Sequence, residues 1–134
     1  MALKLTLKPG EKFVINGAVI ANGDRRATLV LHNKASILRE RDILKADDVD
    51  TPSKRIYFAI MSMYLDEKVR PRFYEEFVMR MSEFMGVLTD PEALSTCVAV
   101  SQCVMDRQYY KGLTLCRKLL DFESERLHHE PASV

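Results

Sequence analysis

The sequence predicts an α+β protein, with a small antiparallel N-terminal β module followed by a C-terminal bundle of about three helices. Three observations carry this. Turn signals recur at short intervals through the first third, separated by short aliphatic and β-branched runs. A polar connector follows, holding Asp47, Asp48, Asp50 and the run Thr51-Pro52-Ser53. Beyond it apolar residues return at spacings of three and four, as on a helix with one buried face. The expected division is a basic β module over residues 1–55 and a helical region over 56–134 that supplies core and partner docking.

Within the β module the expected strands are residues 3–7, 13–15, 18–20, 27–31 and 36–38. Pro9-Gly10, Asn16-Gly17 and Asn22-Gly23-Asp24 separate the first four. Asn16-Gly17 favours a two-residue hairpin, because both residues tolerate positive φ. On the first strand Leu3, Leu5 and Leu7 share one face, and Lys4, Thr6 and Lys8 the other. After the connector, Ile56, Phe58 and Ile60 alternate with Tyr57 and Ala59, which predicts a last strand starting near Arg55. Residues 61–65 fit either a strand or a helix.

Pro71 is well placed in a first helical turn, and Phe73, Phe77, Met81, Phe84 and Leu88 then form a stripe widened by Tyr74, Val78 and Met85. Gly86 marks an end. Thr89, as a cap, and Glu92 read as a capping box for a second helix with Leu94, Cys97, Val98, Val104 and Met105 on its apolar face. A break near Arg107 leads to a third helix over residues 106–127, carrying Tyr109, Leu113, Cys116, Leu120 and Leu127 on one side. The tail, 130–134, is expected to be loose.

An apolar fraction of 47% excludes a disordered chain. No run is long enough for a membrane helix, and the alternating N-terminus lacks the continuous apolar stretch of a signal peptide. Cys97, Cys103 and Cys116 have no CxxC spacing, and all fall in helical stretches, so buried free thiols in a reducing compartment are expected. The expected location is therefore the cytoplasm, with no membrane partner.

The chemistry of catalysis is missing from the sequence. Gly10, Gly17 and Gly23 serve turns rather than a phosphate loop. The pairs Asp66-Glu67 and Glu75-Glu76 do not face each other on a helix. His32, His128 and His129 form no metal-ligand spacing, so neither an enzyme nor a metal or cofactor site is expected.

Charge is more informative. Through Lys45 there are nine basic residues against four acidic ones, on a chain whose net charge is +1. Such a local basic surface attracts polyanions even on a near-neutral protein. Lys4, Lys8, Lys12, Arg25, Arg26, Lys34, Arg39 and Arg41 are the candidate RNA-contacting residues, the alternative being a merely solvated face. Their charges would track phosphates, and the arginine planes would stack on bases. Met61, Met63, Met79, Met81 and Met85 concentrate around the first long helix, where such side chains fill a core or line an adaptable groove.

Several runs carry a family resemblance. They are Leu3-Lys4-Leu5, Leu7 to Phe13, Asn16-Gly17-Ala18-Val19 and Asn22 to Arg26, then Asn33 to Glu40, Arg55-Ile56-Tyr57-Phe58 and Met63-Tyr64-Leu65, and last Tyr109-Tyr110-Lys111 and Arg117-Lys118-Leu119. Together they resemble the FlbT family of flagellum biosynthesis repressors, in order along nearly the whole chain. The resemblance implies a post-transcriptional regulator that associates with the 5′ untranslated region of flagellin mRNA and promotes its decay, in concert with the small regulator FlaF. It implies no catalytic residue. Flagellin mRNA leader, FlaF and flagellin are thus the expected partners, with a homodimer as a further possibility. Leu3-Lys4-Leu5, Gly10-Glu11 and Arg39-Glu40-Arg41-Asp42-Ile43 are also similar to the carbon storage regulator family of small mRNA-binding dimers, with the last piece offset by one residue.

Overall fold

The computed structural model describes residues 3–129. The tail 130–134, expected to be loose, lies outside them, as do the His128 and His129 side chains. The chain divides into two compact units, one up to Ile43 and one from Leu44.

The first unit holds five strands in two antiparallel sheets. β1 (Leu3–Leu7) pairs with β4 (Ala27–Leu31), so that Leu5 lies opposite Leu29. The second sheet has the order β3-β2-β5, from β2 (Lys12–Ile15), β3 (Ala18–Ala21) and β5 (Ile37–Arg39). The expected hairpin at Asn16-Gly17 is present, with φ of 49° and 86° at its two residues. Asn16 also accepts the Ser36 N–H on its side-chain oxygen at 2.9 Å, fixing the approach of β5 to β2. On β1 Leu5 and Leu7 are buried and Lys4, Thr6 and, just past its end, Lys8 are exposed, as the alternation requires, though Leu3 at its start is exposed. Phe13, Val14, Ile37 and Leu38 are buried as adjacent pairs.

Among the described residues the second unit holds four α-helices: α1 (Pro52–Leu65), α2 (Arg70–Val87), α3 (Pro91–Met105) and α4 (Tyr109–His129). Here one expectation is corrected. Residues from Arg55 onward are not a last strand but the body of α1, which accounts for the helix beyond the three the periodicity gives. Thr51 caps α1 by accepting the Lys54 N–H, and Pro52 occupies the first turn, where its fixed φ favours a helix. Ile56, Tyr57, Ala59, Ile60, Met61 and Met63 are all buried, so α1 is covered around most of its circumference. Lys54, Arg55 and Ser62 are its less covered polar positions, and the alternation of Ile56, Phe58 and Ile60 competes with the 3.6-residue pattern. Packing agrees with this burial, since α1 lies against both α2 and α4, and α4 also packs against α3.

Two smaller differences concern the helix ends. Asp90, not Thr89, caps α3, accepting the Ala93 N–H at 2.9 Å, because Pro91 takes the first helical position. Gly86 lies inside the last turn of α2 without a positive φ. The break expected near Arg107 is present, and that residue has φ 59°. Cys97, Cys103 and Cys116 are buried free thiols. No helix among the described residues is long and apolar enough to cross a membrane.

Candidate nucleic-acid interface

The β unit brings four of the eight candidate cations together. Lys8, Arg26, Arg39 and Arg41 line a surface depression of about 530 Å³, along with Thr6, Glu11 and Glu40. Lys4, Lys12, Arg25 and Lys34 do not line it.

Local turn chemistry places these side chains. Lys8-Pro9-Gly10-Glu11 is a tight turn closed by the Glu11 N–H on the Lys8 carbonyl at 3.1 Å, with Gly10 at φ 73°. This is a type II turn, whose third position requires positive φ. The Glu11 carboxylate returns the contact by accepting the Lys8 N–H at 2.9 Å. Asn22 ties the facing loop to this turn. Its side-chain nitrogen donates to the carbonyls of Lys8 and Arg25, at 2.8 and 2.9 Å. Its side-chain oxygen takes the Gly23 N–H at 2.9 Å. Lys8 and Arg26 therefore reach one depression because a single asparagine joins their two loops.

Arg39 has a different task from the one its charge suggests. Its Nε lies 3.3 Å from Glu11 Oε2 without hydrogen-bond alignment, and Nη2 donates to the Thr6 carbonyl. The guanidinium thus fastens β5 to β1 and to the Lys8–Glu11 turn. The Lys8 N–H, with the Arg39 charge beside it, holds the Glu11 carboxyl below the usual carboxylate range. Glu40 accepts the Lys12 backbone N–H at 3.1 Å. With Glu11 matched by Arg39, the exposed cations at the depression are Lys8, Arg26 and Arg41, the last 3.9 Å from Asp42.

Sequence reasoning missed Asn22, Glu11 and Glu40 as parts of this site. The Asn-Gly signal marked a turn but not the bonds its side chain makes across the module. Among the described residues, no group of three or more His, Cys, Asp and Glu side chains is placed to hold a metal ion.

The family profile described as "Flagellar protein FlbT" matches residues 3–127. The chain is 59% identical over 134 residues to the flagellum biosynthesis repressor protein FlbT of Caulobacter vibrioides (strain ATCC 19089), covering 100% of this chain and 95% of that one. It is 59% identical over 129 residues to the probable flagellum biosynthesis repressor protein FlbT of Caulobacter sp. (strain K31), covering 96% and 98%. A relative of the same description in Rhodopseudomonas palustris (strain TIE-1) is 36% identical over 127 residues, covering 95% and 98%. No solved structure matches the chain.

Proposed function

Because the chain belongs to the FlbT family, we propose that it represses flagellum biosynthesis by binding the 5′ untranslated leader of flagellin mRNA through the basic depression of its β unit. The observation that carries this reading is the convergence of Lys8, Arg26 and Arg41, all exposed, around one depression. Cations so grouped contact successive phosphates, and arginine planes stack on unpaired bases. The repressor names of the Caulobacter relatives support the regulatory half of the proposal. Bound protein either blocks the ribosome site or exposes the message to nucleases, and breaks no bond itself.

The test is fluorescence anisotropy of labelled leader RNA with increasing salt. If about four phosphates are neutralised, log K falls against log salt with a slope near −3. The triple variant Lys8→Ala, Arg26→Ala, Arg41→Ala is expected to flatten that slope by roughly two, while Lys118→Ala on the helical unit leaves it unchanged. A salt-independent binding curve would refute the electrostatic contact.

A second reading places the primary contact on the helical unit, which exposes Tyr74, Val78, Met79 and Met105. There it docks flagellin or FlaF, and its effect on the message is indirect. Protein that leaves leader RNA unshifted but co-elutes with flagellin or FlaF would favour this reading over the first.

A further inference from the structure

α3 ends in a turn of defined geometry. The Arg107 N–H donates to the Val104 carbonyl at 3.0 Å and the Gln108 N–H to the Cys103 carbonyl at 2.8 Å. This is a Schellman motif, with Arg107 at the position where glycine is favoured because the backbone turns left-handed. An arginine at φ 59° is strained there, and glycine would not be. Strain retained at an exposed position points to a task for the side chain.

The surroundings suggest what the task is. Arg107 borders an open cleft of about 560 Å³ shared by the start of α2 and the end of α3. Arg70, also on its wall, is held on three sides. Its Nε donates to the Met63 carbonyl at 2.7 Å, its Nη1 lies 3.6 Å from Glu67, and its plane covers the Tyr109 ring at 4.9 Å. Glu67 is thereby matched, whereas the Arg107 side chain has no hydrogen bond or ion pair among the described residues. Met105 and Tyr74 add apolar surface, 66% and 42% exposed.

We propose that this cleft docks an acidic peptide segment of a partner protein, with a carboxylate on Arg107 and a neighbouring apolar side chain against Met105 and Tyr74. Charge complementarity selects that occupant. One unmatched guanidinium beside apolar surface fits a carboxylate next to a hydrophobic anchor. A nucleic acid needs a row of cations, and on this wall Arg70 already pairs with Glu67 and covers the Tyr109 ring, leaving Arg107 alone among the described residues. The inference does not depend on the RNA reading, since its experiment contains no leader RNA; it deepens the protein-docking reading by giving the chemistry of the partner segment at Tyr74 and Met105.

The full chain is panned against a random twelve-residue peptide library, and a synthetic peptide of the enriched consensus is titrated by anisotropy. Enrichment of Asp or Glu beside Leu, Met or Phe is expected. Arg107→Gly is expected to keep or raise Tm, because it relieves the positive φ, and to weaken peptide binding about tenfold. Glu→Gln in the peptide should cost wild type a similar factor and cost Arg107→Gly little, as a paired contact requires. Tyr74→Ser, on the exposed apolar side, should weaken binding without that charge coupling. No enrichment, enrichment without acidic bias, or unchanged affinity in Arg107→Gly would overturn the proposal. So would displacement of the peptide by a twelve-nucleotide single-stranded RNA. A fall in Tm with the loss of binding would assign Arg107 to ending α3 instead.

Discussion

Glu123 on α4 receives both the backbone N–H and the hydroxyl of Ser53 in the first turn of α1, at 3.0 and 2.5 Å. Ser53 is fully buried. The carboxylate therefore does for α1 what a local capping side chain does elsewhere, from 70 residues away along the chain. Removing it leaves two buried donors without an acceptor. Glu123→Ala is expected to destabilise the protein by about 2 kcal/mol. Denaturant unfolding checks this, with the midpoint falling at unchanged slope.

Glu11 makes stability depend on acid. Its folded pKa lies below the ordinary value of 4.5, through the Lys8 N–H first and then the Arg39 charge. A depressed carboxylate pKa contributes stability that is fully present above the unfolded value and is lost as pH falls through the folded one. Unfolding midpoints measured downward from pH 4.5 should decline in the wild type and decline less steeply in Glu11→Gln. Equal acid slopes would remove Glu11 from the account.

Gly86 sits in the last turn of α2 with open space where a Cβ would be and no positive φ. Nothing there requires glycine. Gly86→Ala should raise helix propensity and stabilise by about 0.5 kcal/mol, the gain being smaller than in a helix centre because the end frays. Thermal unfolding should move up by about 2 °C.

Burial pushes the Cys97 thiol up to about 11, and burial, with Cys97 nearby, raises Cys116 as well. Both thiols stay protonated at neutral pH and away from solvent. An aromatic disulfide reagent at about pH 8 should leave them unmodified in the native protein and react on unfolding. Rapid native reaction at either cysteine would mean that α3 and α4 open far more often than their packing implies.

The β module was legible because its signals are local. Asn16-Gly17 sets its own turn, and alternation separates Leu5 and Leu7 from Lys4 and Lys8 without reference to other segments. α1 was misread for the opposite reason. Ile56 and Ile60 are buried together with Tyr57, Ala59 and Met61, so few polar residues mark the outer side of the helix, and the accidental alternation at 56–60 resembles a strand. Thr51-Pro52 was the available helix signal. At the candidate site, the positions of the cations were visible but their partners were not. Arg39 counts as one more positive charge until Glu11 and the Thr6 carbonyl are seen around it.

The burial of α1 also bears on where this chain can be divided. A separation at 55/56 would strip α1 of Thr51, Pro52 and Ser53 and leave Glu123 facing nothing. The segment 44–51, between the end of the β unit and the first helical residue, contains no strand and none of the four long helices. Modularity in this protein is therefore decided by a helix start: whichever piece keeps α4 must also keep the chain from Thr51 onward.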